Sequence, residues 1–319
     1  MEQMDEKVTG LCFVAPPEPF PQNPMPAVHQ IGAKWIAVIP FGFSRAQSTK
    51  ISYNPKGWGQ WWGERPEGIE TTIKMAQKEQ LNVMLKPQVY IPGSWPGGLD
   101  FAEEAQWKEW ENSYEAYILP FADMAERYEL PLFCIGTEFK ISVQKREVFW
   151  RELIQKIRKR YSGKLVYAAN WDEYNLVPFW DALDYIGVDA YFPLSSDQTP
   201  STKSLIKAWK PKLLELRKFY LKKWKPILFT EFGYLSVDGC AGKAWELEKK
   251  INSLPVNEQA QANALDALFQ TFWKEPFWAG GFLWKWFPNM RGHEGYPAKD
   301  YTPQGKISAK VVQNWYKKQ

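Results

Sequence analysis

Histidine is nearly missing from this chain of 319 residues, which contains only His29 and His293. His29 is expected in a helix and His293 in a loop, so neither a His-rich metal site nor a Ser/His/Asp triad is supported. Cysteine is almost as scarce. Three cysteines cannot all pair within one chain, and Cys12 and Cys134 lie inside apolar runs where a free thiol packs as a small hydrophobe, so no disulfide framework is implied. The chain nowhere offers about 18 consecutive apolar residues, the length a spanning helix needs, so no membrane partner is expected. Its opening, MEQMDEKVTG, has no basic start followed by an apolar run. A cytoplasmic protein is expected, or a secreted one whose leader has been removed. An excess of one charge is also lacking, because 40 Lys and Arg face 36 Asp and Glu for a formal net charge of +4. The basic residues of RELIQKIRKRY and LLELRKFYLKKW read as solvated helix backs, so no nucleic-acid partner is expected. No cofactor motif occurs. Neither cofactor nor metal is expected, and the chain is read as a monomer.

Aromatic residues, in contrast, are abundant: 18 Trp, 15 Tyr and 19 Phe. Many fall at strand ends and in loops, where core burial is less easily satisfied. Apolar runs of strand length alternate with helical periodicity along the whole chain, a pattern of βα units and a parallel sheet. The expected strands are 8–16, 35–43, 82–90, 131–139, 164–170, 185–194, 226–234 and 279–288. Between them, AVHQIGA, PEGIETTIKMAQKEQ, QWKEWENSYEAYILPFADMAERY, REVFWRELIQKIRKRY, STKSLIKAWKPKLLELRKFYLKKW, NEQAQANALDALFQTFWKE and ISAKVVQNWYKK read as helices, with a weak turn around PFWDAL. Eight such units predict an α/β fold, a (β/α)8 TIM barrel forming one domain over residues 1–319. A doubly wound open sheet is the competitor. Its first βα turn calls for a glycine-rich phosphate fingerprint, whereas APPEPFPQNPMPAV is proline-rich. Long loops at 45–65, 91–105, 235–256 and 289–306 follow strands at the end where barrel sites are built.

Two glutamates stand at the ends of apolar runs, Glu138 in PLFCIGTEFK and Glu231 in KPILFTEFGY. A carboxylate set among Phe, Ile and Leu is expensive to desolvate, so a strand carries one there usually because chemistry needs it. In the expected register they end strands four and seven and project into one barrel mouth. Two carboxylates flanking a sugar can hydrolyse a glycosidic bond, one protonating the leaving oxygen and the other attacking the anomeric carbon or activating water. The bland reading is a strand-end ion pair with Lys86, Lys140 or Lys285. Lys86 and Lys285 can equally bond sugar hydroxyls or hold Glu231 ionised. Tyr191, ending strand six, can donate to Glu231, against ordinary packing with a solvated hydroxyl. Asp189 shares the inward face by alternation and serves either as buried scaffold or as ligand contact. Asn170 and Trp171 end strand five. Period two puts Trp284 and Trp286 on one face, where one of them forms a platform under the sugar unless both are core. Phe41, Phe43, Arg45, Trp61, Trp62 and Trp95 can extend a groove to further sugar units. Cys134 lacks a His partner and reads as core.

The strings GTEF, GVDAYFPL, ILFTEFGY and FLWKWFP, in this order, resemble glycoside hydrolase family 113, of clan A, best known as β-mannanases. The resemblance runs from VTGLCFV to the last strand. It implies a retaining double displacement, with Glu231 matching the nucleophile and Glu138 the acid/base. Clan A members commonly carry Asn before the acid/base, where it holds the sugar 2-hydroxyl, and Thr137 fills that slot here. Retention implies carboxyls about 5 to 5.5 Å apart, inversion roughly 6.5 to 9.5 Å. The expected partner is therefore an oligo- or polysaccharide substrate, a β-1,4-mannan or its oligosaccharides. An exo-acting β-mannosidase or β-glucosidase, or a catalytically silent carbohydrate-binding barrel, are the alternatives.

Overall fold

The structure is a computed structural model that describes residues 6–56, 59–289 and 297–318. His293 lies outside them. The strands are β1 (Val8–Phe13), β2 (Trp35–Val38), β3 (Phe41–Phe43), β4 (Asn82–Leu85), β5 (Gln88–Tyr90), β6 (Leu132–Thr137), β7 (Lys164–Asn170), β8 (Tyr185–Asp189), β9 (Ile227–Phe232) and β10 (Trp278–Trp286). The helices are α1 (Met25–Gln30), α2 (Pro66–Lys78), α3 (Glu104–Arg127), α4 (Lys140–Lys145), α5 (Glu147–Arg158), α6 (Thr202–Lys223), α7 (Ala244–Glu248), α8 (Glu258–Phe272) and α9 (Ser308–Tyr316). Eight strands close into a barrel in the order β1-β10-β9-β8-β7-β6-β4-β2. That is the TIM-barrel fold.

The expected strands at 35–43 and 82–90 each break in two. Pro40 and Pro87 sit at the breaks, and a residue without an N–H cannot donate to a ladder. After Lys86 N–H bonds Val38 O at 2.9 Å, pairing resumes as β3 and β5, a separate two-stranded sheet. The first strand likewise stops at Phe13, before the prolines, and the sixth at Asp189 rather than 194. The weak turn between β7 and β8 is a single short turn at Trp180–Ala182. Helix α4 and helix α7 are additional to the elements expected from the pattern. Two helix starts carry a side-chain cap: Ser201 caps α6 by accepting from Ser204 N–H at 3.1 Å, and Asn257 caps α8 by accepting from Ala260 N–H at 2.9 Å.

By contact density the chain forms two compact units, one of Met1–Val14, Pro24–Trp35 and Asp189–Gln319, the other of Ala15–Asn23 and Ile36–Val188. In the first, β10 pairs in parallel with both β1 and β9, and Trp209, Phe229 and Trp278 pack on Phe272. Tyr316 ties α9 to β1 by donating to Gly10 O at 2.8 Å. In the second, β6 pairs with β4 and β7. Behind these strands lies an aromatic layer of Trp110, Tyr114, Phe139, Trp150, Tyr167 and Phe179, all buried. Gly136 makes the layer possible, since a Cβ there would stand 2.8 Å from the Trp150 ring.

Candidate active site

Glu138 follows directly on β6, half-buried, with φ +56°. Its N–H bonds Ala168 O at 2.8 Å, and the next residue's ring is sunk in the aromatic layer. Trp95, in the loop after β5, donates its indole N–H to Glu138 Oε2 at 2.5 Å. Gly97 lets that indole fold back over the loop, because a Cβ there would fall 2.2 Å from the ring. Thr137 is 8 % exposed, and its hydroxyl has no hydrogen-bond partner among the described residues.

Glu231 lies in β9 and is 7 % exposed. The Tyr191 hydroxyl donates to its Oε2 at 2.8 Å. Burial first, then the Glu231 charge, holds the Tyr191 phenol well above its usual range, so it acts as a donor. Tyr301 packs edge-on against Tyr191 with ring centroids 6.1 Å apart and donates to Glu248 at 2.6 Å. The segment carrying Tyr301 is held by Gln261, whose single amide nitrogen donates to Tyr234 O, Asp300 O and Tyr301 O at 2.8, 3.3 and 2.9 Å. Each carboxylate is held by an aromatic donor of its own unit, Glu138 by Trp95 and Glu231 by Tyr191, an environment suited to acid–base or nucleophilic chemistry.

Residues 19–317 match the model of glycoside hydrolase family 113. The chain belongs to that family. This family 113 protein is therefore a glycosidase. Its fold is similar to that of the family 113 β-mannanase AaManA from Alicyclobacillus acidocaldarius in complex with ManMIm, with TM-score 0.85, 25% identity, and 99% of each chain covered. A second family 113 β-1,4-mannanase, solved as a complex, superposes with TM-score 0.82 at 24% identity over 98% of this chain and 100% of the other. A Ruminococcus gnavus β-glucuronidase shares the fold alone, with TM-score 0.61 at 15% identity over 92% of this chain and 46% of its own. No curated protein matches the sequence.

The other sequence-predicted residues of the family 113 chain differ in burial and in partners. Lys285 forms an ion pair with Asp300 at 3.7 Å, both buried, with its ammonium over the Trp284 and Phe287 rings. Lys86 is fully buried just past β4, and Lys140 pairs with Asp172 at 2.7 Å. Asp189 is fully buried and accepts from Thr230 at 2.7 Å. Trp284 and Trp286 do not follow period two. The β1 ladder pairs Leu11 with Leu283 but Phe13 with Trp286, so one extra residue intervenes, and Trp284 is left part-exposed while Trp286 is buried. Trp62 is also core, 8 % exposed with Phe20 edge-on at 5.4 Å. Asn170 turns its side-chain oxygen onto the Trp171 N–H at 2.9 Å, and both residues remain part-exposed. Phe43 is part-exposed with Tyr90 edge-on at 6.1 Å, and Arg45 is exposed. The sequence pattern gave no sign of Tyr301 or Gln261, since neither belongs to a strand-end motif.

Proposed function

We propose that this glycosidase cleaves β-1,4-mannosidic linkages within mannan or manno-oligosaccharides with retention of configuration. Glu138 gives its proton to the bridging oxygen while a Glu231 oxygen bonds to the anomeric carbon, and the C–O bond to the leaving sugar breaks. In the second step Glu138, now a carboxylate, takes a proton from water. The resulting hydroxide oxygen bonds to the anomeric carbon, and the bond to Glu231 breaks, which restores both side chains. The observation that carries this reading is the Tyr191–Glu231 hydrogen bond, which holds a nearly buried carboxylate in a fixed orientation. Thr137 supports it from the acid/base strand, as a buried hydroxyl with capacity for a sugar hydroxyl. The family 113 mannanase neighbours support mannan as the substrate class.

Glu231→Ala and Glu138→Ala, assayed on manno-, gluco- and xylo-oligosaccharides with product sizing, test the proposal. Loss of turnover on manno-oligosaccharides with binding retained, and mixed product lengths in the wild type, are expected. Full activity in either variant would reject the assignment of roles, and mannose as sole product would reject internal cleavage.

A further inference from the structure

The turn that carries Glu138 rests on a buried pair that the reaction scheme leaves unused. A non-glycine residue at φ +56° crowds its own Cβ against the backbone and persists only where its surroundings fix it. Three backbone groups are held here. Glu138 N–H bonds Ala168 O at 2.8 Å, Lys140 N–H bonds Glu138 O at 3.0 Å, and Phe139 N–H bonds the Tyr167 hydroxyl at 2.7 Å. The last bond is the unusual one, because its acceptor is a side chain reaching up from β7.

Tyr167 is wedged between Trp150 and Phe179, and its hydroxyl has one proton to give. Since that oxygen accepts from Phe139, the proton points to Glu173 Oε1, 3.3 Å away. Glu173 is fully buried in the turn after β7, where its N–H bonds Asn170 O at 2.9 Å. Burial, and then the Glu173 charge, keep the Tyr167 phenol protonated through the working pH range. Ring packing alone would be served by Phe at 167 and by an apolar residue at 173. A buried carboxyl carries a desolvation cost that packing does not require.

We propose that Tyr167 and Glu173 are positioning residues for Glu138: the one-way chain from Phe139 N–H to Tyr167 to Glu173 holds the turn in its left-handed form and so aims the Glu138 carboxyl at the leaving-group oxygen. The inference rests on Glu138 being the acid/base. Without the chain the turn relaxes toward negative φ and the carboxyl moves off line, which impairs protonation of the leaving group while ground-state binding stays.

The test compares Tyr167→Phe, Glu173→Gln and Glu138→Ala on two substrates. One is a manno-oligosaccharide, whose leaving sugar must be protonated. The other is a dinitrophenyl β-mannoside, whose phenolate leaves unaided. Tyr167→Phe should lower kcat on the oligosaccharide about 10- to 100-fold with KM nearly unchanged, the scale of an ångström's misplacement. On the aryl mannoside its glycosylation rate should stay within roughly threefold of wild type. Glu173→Gln keeps an acceptor for Tyr167 and should lose less. Equal losses on both substrates, or a rise in KM alone, would mark a merely structural role and overturn the proposal, as would unchanged kinetics in both variants. Glu138→Ala reads the underlying assignment separately: full oligosaccharide activity there would remove the acid/base itself.

Discussion

Replacing Tyr191 with Phe removes one hydroxyl and leaves the ring, with its edge contact to Tyr301, in place. The bond lost is a 2.8 Å donation to a carboxylate that is 7 % exposed, where little water can take over the role. Hydrogen bonds to charged partners contribute about 1.5–3 kcal/mol, which corresponds to about 10- to 150-fold in kcat/KM if the stabilisation is needed in the first step. Initial rates on a manno-oligosaccharide measure the effect, with a thermal melt to check the fold. A variant with wild-type kcat/KM would refute the claim that Tyr191 positions Glu231 for the reaction.

Glu64, in the turn before α2, is 6 % exposed, and burial pushes its carboxyl up from 4.5 to about 7 against the opposing Gln60 and Trp61 hydrogen bonds. The folded state therefore binds this proton more tightly than the unfolded chain does, so stability falls as pH rises from 4.5 to about 7. The loss is roughly 3 kcal/mol at most. Denaturant titrations should show Glu64→Gln close to wild type at the acid end of that window and more stable above it, and a difference independent of pH would contradict this. In the aromatic layer, Trp150→Ala opens a void under Gly136 and should cost about 3–5 kcal/mol of stability in the same titrations. A cost under about 1 kcal/mol would show that the layer collapses to fill the space.

The barrel is legible in the sequence because each strand and helix keeps its own period, and because Glu138 and Glu231 interrupt apolar runs at strand ends. Tyr191 was reachable from the same register, one strand before Glu231. Alternation failed at Trp284 and Trp286 because it assumes an unbulged strand, and the extra residue between Leu283 and Trp286 is visible only in the pairing. Pro40 and Pro87 did announce the two broken strands, but the surrounding apolar residues masked the signal. The ion pair of Lys285 with Asp300 was not legible, because Asp300 comes from a loop without periodicity. Tyr301 and Gln261 were hidden for the same reason, since their partners lie far away in the sequence, and Glu173 because it sits in a turn without periodicity.

The central claim is that Glu231 forms a covalent bond to the sugar. A mannosyl fluoride bearing fluorine in place of the hydroxyl beside the anomeric carbon slows both steps, and its good leaving group lets the first proceed, so the intermediate accumulates. Peptide mass spectrometry after digestion should then place one sugar on the peptide containing Glu231, with time-dependent loss of activity. A label on another residue, or no inactivation together with products of inverted anomeric configuration, would contradict the account.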